Sequence, residues 1–284
     1  MKNSGFRYIK EAIAVAVILD IILWSFVFRV GSESGPEIYF LDVGQGDSSL
    51  VIFKDNVKML IDGGPVNGRV RKNLELILPA ADHRIDLVMI SHPQLDHFGG
   101  LLEIMENYDV GAVLSPSIEG ESEFWREFER IRKSKGVPRI FLKEGDRIIY
   151  GGSEFSVLSP SAGFVKDIND MSIAGILTAG GFKAFFGGDM GSQKETELAR
   201  KYNLDVDILK VSHHGSKYSS DGGFLKEASP SVSVIEVGKN SYGHPTKEAL
   251  SRLAASGSKI FRTDSAGFVK IFLERGKLLV YTQK

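Results

Sequence analysis

Short apolar segments of strand length, many of them closing on glycine with a histidine or an aspartate beside it, recur from residue 37 to the C-terminus. EIYFLDV, SSLVIF and VKMLID come first, separated by turn-forming residues at 44–47 and 54–56. Helical patterns at 69–78, 98–106 and 124–133 are then interleaved with the apolar strand IDLVMIS. A second run of strands, FSVLS, SIAGIL and KAFFGG, leads into a helix at 193–201, the strand VDILKVS, a helix at 224–227, the strand VSVIEV, a helix at 247–255 and a closing pair of strands. Two β-rich halves that each end in β/α units bury their apolar faces most completely as two sheets packed face to face with helices outside. The expected fold class is therefore α/β, with no long linker or compositional break between the halves.

Composition narrows the chemistry. The 284 residues include no cysteine, which removes a disulfide scaffold, a thiolate metal site and a cysteine nucleophile. Any metal is left to His, Asp, Glu or amide ligands. With 35 basic and 36 acidic residues the chain has no overall electrostatic grip on a polyanion, so such binding must be local. A hydrophobic content of 43% excludes a disordered tail.

Of the 6 histidines, all but His83 lie in short clusters bounded by glycine and strand ends. The first is Ser91-His92-Pro93-Gln94-Leu95-Asp96-His97-Phe98-Gly99-Gly100, directly after the strand 85–90. Two imidazoles and a carboxylate on a loop held by a buried strand are what a divalent ion needs from N and O ligands. If Asp96 merely caps a helix, both histidines go unexplained. Gly187-Gly188-Asp189 ends another strand, and there Asp189 taken alone reads more readily as a helix cap. Ser212-His213-His214-Gly215-Ser216 follows a third strand. In Gly243-His244-Pro245, Pro245 suits the first turn of the helix 247–255, which would set His244 beside free N–H groups that favour an anion. His244 reads alternatively as a core or capping histidine.

The N-terminal run AIAVAVILDIILWSFVF, residues 12–28, is interrupted only by Asp20 and preceded by Lys2, Arg7 and Lys10. Its length suits a transmembrane anchor better than a cleaved signal segment, and the preceding basic residues favour an exported body. The expected organisation is an anchor or signal segment over 1–30, a linker over 31–35 and a folded body over 36–284. The body is then membrane-anchored and extracytoplasmic, or secreted if the segment is cleaved.

The ordered set Asp42-Val43-Gly44-Gln45-Gly46-Asp47-Ser48, Asp62-Gly63-Gly64, the loop 92–100, Asn169 with Ser172, Gly188-Asp189, His213-His214-Gly215-Ser216 and Gly243-His244-Pro245 resembles the metallo-β-lactamase superfamily, specifically its ComEC-type competence-protein hydrolase domain. The likeness runs from about residue 36 to the C-terminus. It implies a four-layer αββα sandwich with one or two divalent ions, Zn or Mn, at one edge of the sheets. Carried over, His92 binds the first ion, Asp96 and His97 the second, Asp189 bridges both, and His213 completes the second site in preference to His214. Gln94 stands where the family usually has His or Asp, which weakens the first site and favours a hard ion. Asp47 and Asp62 would orient ligand imidazoles from behind, although turn-forming roles suit them as well.

The function implied is a metal-dependent phosphodiesterase or nuclease acting on DNA outside the cytoplasmic membrane, with a separate membrane partner as an open expectation. Asp96 would accept the proton of the attacking water, while His244 and the amides near Ser216 would bind a phosphate oxygen or protonate the leaving group. Two alternatives stay open: hydrolysis of a cell-wall phosphoester or carboxylic ester, and a non-catalytic binding module with a degraded metal site. The sequence carries no indication of oligomeric state.

Overall fold

The computed structural model describes residues 13, 15–21, 35–161 and 167–284. Residues 13 and 15–21 are helical, and among the described residues no helix is long and apolar enough to cross a membrane. The rest of the expected anchor lies outside the described residues. The chain separates into two units, Met1–Gly35 and Pro36–Lys284.

The second unit is built on two sheets. Strands β1 (Glu37–Phe40), β2 (Ser49–Ile52), β3 (Lys58–Ile61), β4 (Arg84–Met89), β5 (Asp109–Ser115) and β6 (Arg139–Phe141) lie in the first. The second holds β7 (Arg147–Tyr150), β8 (Ser153–Ser159), β9 (Ala174–Ala179), β10 (Phe182–Phe186), β11 (Ile208–Lys210), β12 (Val232–Ile235) and β13 (Lys259–Arg262). The chain then returns to the first sheet with β14 (Val269–Glu274) and β15 (Lys277–Thr282), giving the orders β15-β14-β1-β2-β3-β4-β5-β6 and β13-β12-β11-β10-β9-β8-β7.

Alternation along the strands explains the layers. Ile38 and Phe40 point into the core between the sheets with Met59, Phe155, Leu177, Phe186 and Val234. Their neighbours Tyr39 and Leu41 point outward into a second core under α1 (Arg69–Ile77), α3 (Leu101–Asn107) and α4 (Glu123–Ser134), with Leu74, Ile104 and Phe128. Phe185 likewise faces away from Phe186, into a third core with Leu198 of α5 (Ser192–Lys201), Leu225 of α6 (Gly222–Ala228) and Leu253 of α7 (Lys247–Ala255). A period of two in each strand thus feeds three apolar layers, which a sheet does only when both its faces are covered.

Four strands and one helix depart from the sequence expectation. β5, β6, β7 and β13 carry glycine, charge or exposed apolar side chains that hide their pattern; Gly111 in β5 is needed because a Cβ there would meet the Asp86 carbonyl at 2.5 Å. The helix expected over 98–106 is two pieces, α2 (Leu95–Phe98) and α3, with Gly99-Gly100 between them. Asp96 and His97 therefore sit on a helical turn rather than on an open loop.

Strand direction places the site. β3, β4, β5 and β6 are parallel, as are β10, β11, β12 and β13. The segments that follow β3, β4, β10, β11 and β12 carry Asp62, His92, Asp189, His213-His214 and Glu236, so these residues stand at the carboxyl ends of parallel strands, where open α/β sheets hold ligands.

Candidate metal centre

Each histidine of the first loop is fixed through Nδ1. His92 Nδ1 lies 3.0 Å from Ser91 Oγ and 3.3 Å from Ser172 Oγ, and His97 Nδ1 lies 2.9 Å from Asp62 Oδ2. Asp62 is itself held by the Ser91 amide at 2.7 Å and the Ser91 hydroxyl at 2.6 Å. From the second sheet, His214 Nδ1 donates to the Glu236 carbonyl at 2.9 Å and lies 3.1 Å from Asp47 Oδ1. A ring engaged at Nδ1 presents Nε2 outward in a defined direction. Nε2 of His92, His97 and His214, with Oδ1 of Asp189, are all buried and have no hydrogen-bond partner.

These atoms meet. His92, His97 and Asp189 offer donor atoms within 4.8 Å of one another, and so do Asp96, His97 and His214. His97 Nε2 is 3.3 Å from Asp189 Oδ2, and His214 Nε2 is 3.6 Å from Asp96 Oδ2 and 3.7 Å from Asp189 Oδ2. Buried polar atoms without partners are costly in a folded protein unless something else satisfies them. A mixed set of imidazole nitrogens and carboxylate oxygens fits divalent ions of the zinc or manganese type.

Electrostatics follow the same geometry. Burial works against the charge of Asp189, but His97 and His214 beside it hold its carboxyl well below the usual range. Burial would also lower His214, yet Asp189 and Asp47 raise it to about 10, and Asp189 with Asp62 raises His97 well above its ordinary value. His92 goes the other way, to about 3, through burial and the neighbouring His97. Asp96 is held at about 2, against burial, by His214 and His97. Without an ion the carboxylates draw protons onto two imidazoles, so an ion entering the site displaces them.

Within each half the backbone is tightly packed at this edge. Gly46 brings the chain against Asp96, where a Cβ would stand 2.3 Å from the carbonyl oxygen, and the Asp47 amide donates to that oxygen at 3.2 Å. Gly188 adopts φ 55°, with Ser172 2.8 Å from where its Cβ would be, and its carbonyl accepts from the His213 amide at 3.2 Å. His213 and His214 both have φ 52°, an uncommon conformation for residues with a Cβ.

Three sequence expectations are corrected here. His214, 2% exposed, is the imidazole that enters the cluster, whereas His213 is 31% exposed and its Nε2 is 3.9 Å from Asp189 Oδ2, at the rim. Successive left-handed residues aim their side chains apart. Ser216 has no free amide for a phosphate: its N–H donates to the His213 carbonyl at 2.9 Å, and its buried hydroxyl accepts from the Tyr218 amide at 3.2 Å. Pro245 stands outside α7, whose cap is Thr246, with Oγ1 accepting from the Ala249 amide at 3.2 Å. His244 is consequently not at the free helix terminus. Its ring lies 5.6 Å from that of His213 and 5.8 Å from that of Tyr242, while burial and the neighbouring His213 lower its pKa.

Gln94 Nε2 donates to Asn169 Oδ1 at 2.6 Å, and its side chain also lies within hydrogen-bonding reach of His92. Lys210 and Glu236, which sequence reading passed over, are buried behind the donors. Lys210 pairs with Asp47, and burial together with Asp47 pushes Glu236 up to about 8. The available signal was a charged residue inside each of the apolar strands ILKV and VIEV.

A model of the metallo-beta-lactamase superfamily matches residues 41–238. The chain is 31% identical over 248 residues to the competence protein ComA of Neisseria gonorrhoeae, covering 86% of this chain and 33% of that protein. It is 26% identical over 263 residues to the ComE operon protein 3 of Bacillus subtilis (strain 168), covering 86% and 34%. It thus spans about a third of the length of these relatives. The solved metallo-beta-lactamase fold protein YhfI of Bacillus subtilis matches with a TM-score of 0.56 at 14% identity, covering 83% of this chain and 99% of that one.

Proposed function

The chain belongs to the metallo-β-lactamase superfamily, and on that premise we propose that it is a metal-dependent phosphodiesterase acting on DNA outside the cytoplasmic membrane. One observation carries the proposal: three imidazole nitrogens and an aspartate oxygen, buried and without partners, converge at the sheet edge. His92, His97 and Asp189 would hold one ion, and Asp96 and His214 a second, with Asp189 between them. A pair of divalent ions supplies Lewis acidity toward phosphate oxygens and lowers the pKa of water.

The protein's own groups then divide the remaining work. Asp96, held at about 2, is a weak base at neutral pH, which favours a ligand role over that of proton acceptor. His244, with its lowered pKa, is a neutral N–H donor near pH 7, which suits a hydrogen bond to a non-reacting phosphate oxygen better than proton delivery. The Glu236 carbonyl and Asp62 keep His214 and His97 in the tautomer that presents Nε2, with Asp47 beside the His214 ring. The name of the ComA relative favours DNA among phosphodiesters. The apolar run 12–28 supports an anchor that keeps the catalytic body at the outer face of the cytoplasmic membrane.

The full chain, incubated with single-stranded DNA, double-stranded DNA and bis-p-nitrophenyl phosphate under Mn²⁺, Zn²⁺ or chelator, is expected to cleave phosphodiesters only with metal. His244→Ala should keep its metal and lose roughly 10²-fold in turnover, as for a lost oxyanion donor. Gln94, tied to Asn169, favours a second reading, a module that binds phosphodiesters without cleaving them. Retained metal and DNA binding with no hydrolysis under any ion would select it.

A further inference from the structure

Lys210, the last residue of β11, is 3% exposed. Its ammonium pairs with Asp47 and donates to the Gly188 carbonyl at 3.3 Å. Asp47 lies against His214, and Gly188 immediately precedes Asp189. Behind these groups is a cavity of about 10 Å³ lined by Asp47, Asp62, Lys210 and Glu236, room for at most about one water molecule. Solvent therefore does little to screen the carboxylates gathered here. Asp47, Asp189 and His214 also form a donor set of their own, within 4.8 Å of one another, but its Asp47 corner already has a cation.

We propose that Lys210 is a resident counter-cation, which holds the carboxylates of the centre together when no metal is bound and lowers the affinity of the same centre for metal. The inference rests on the metal-centre reading above. In the ion-free protein the ammonium offsets repulsion between Asp47 and Asp189 and holds the Asp47 carboxylate beside His214. When dications enter the neighbouring donor sets, the same fixed charge repels them. A group that stabilises the empty form more than the filled one must weaken binding by the difference. Lys210 also withdraws Asp47 from the two donor sets that contain it, one with Asp189 and His214 and one with Asp62 and His97, confining the ions to the two sets without Asp47.

The test compares the full chain with Lys210→Met and with Lys210→Met combined with Asp47→Asn, by thermal melts without metal and by Mn²⁺ and Zn²⁺ titration against a chelator. Lys210→Met leaves Asp47 buried without its ammonium partner, so its metal-free melting temperature should fall by roughly 6–15 °C. Its metal affinity should rise by roughly 10- to 100-fold. The double variant removes both charges and should return to within about threefold of the parent's affinity, the gain belonging to the ionised Asp47. A lysine needed only for packing would lower stability with and without metal alike and leave affinity unchanged; that result, or weaker binding, overturns the proposal. Folding of Lys210→Met only in the presence of metal supports it. If that variant folds under neither condition, the double variant decides, and its collapse assigns Lys210 to packing. A parent that binds no ion overturns both this inference and the metal reading, whereas a parent that binds normally beside an unchanged Lys210→Met overturns this inference alone.

Discussion

In the loop after β4, His92 and His97 are separated by a turn and the start of α2, and both rings are fully buried. In the loop after β11, His213 and His214 are adjacent, yet one ring is buried and the other stands at the rim. The first loop uses a helical turn to bring its second imidazole back to the first, with ring centroids 4.1 Å apart. The second uses two left-handed residues in succession, which send neighbouring side chains in different directions. Nearness along the chain is therefore a poor guide to membership of the centre, and backbone conformation decides it.

The severest test of the comparison removes what the loops share. Asp189→Ala should empty at least one ion position, measured by elemental analysis after metal loading and desalting, because both loops aim at that carboxylate. Metal content equal to the parent would end the idea of a common centre. Next, His214→Ala should lose metal and roughly 10²-fold or more in phosphodiester turnover, while His213→Ala keeps its metal content. The reverse outcome would restore His213 as the ligand.

A third test separates the loops by pH. The segment following His213-His214 is anchored by Glu195 of α5, whose carboxylate accepts from the Asp221 amide at 3.0 Å. Burial pushes Glu195 up to about 7, above its unfolded value near 4.5. A raised carboxyl pKa favours folding while the group stays protonated, so this contribution is full below about pH 4.5 and fades as pH rises through about 7. Parent stability should decline across that window by up to about 3 kcal/mol relative to Glu195→Gln, compared by urea unfolding at both ends. Parallel curves for the two proteins would show that Glu195 does not titrate there. The smallest effect expected is in the first loop: Gln94→His should tighten metal retention by roughly tenfold in chelator competition, since imidazole is a better ligand than an amide. No change would mean that position 94 belongs with Asn169 and does not face the ions.

The residues that cluster at the sheet edge stood out in the sequence as candidates because they follow apolar strands and are flanked by glycine, as at His92, Asp189 and the His213-His214 pair. The choice between His213 and His214 was not legible, since it depends on backbone angles that neither residue type advertises. Lys210 and Glu236 escaped notice because a charge within a short strand reads as a solvent-facing position until both faces of the sheet are known to be covered. Ser216 misled for a related reason: its amide is consumed by a turn closed onto His213. Among the strands, β6 and β7 were missed because edge positions leave Phe141 and Ile149 more than half exposed, which erases the alternation that marks a half-buried strand.

The return of the chain from the second sheet to the first also governs when the molecule can be completed. β1 pairs with β14 in a register that sets Ile38 opposite Ile271. Contacts so distant along the chain are slow to close, and during synthesis they cannot form until β14 has emerged. β1 therefore waits, with one edge open, for a partner made after every strand of the second sheet. A nascent chain that has already displayed every donor of the centre is still an unfinished fold.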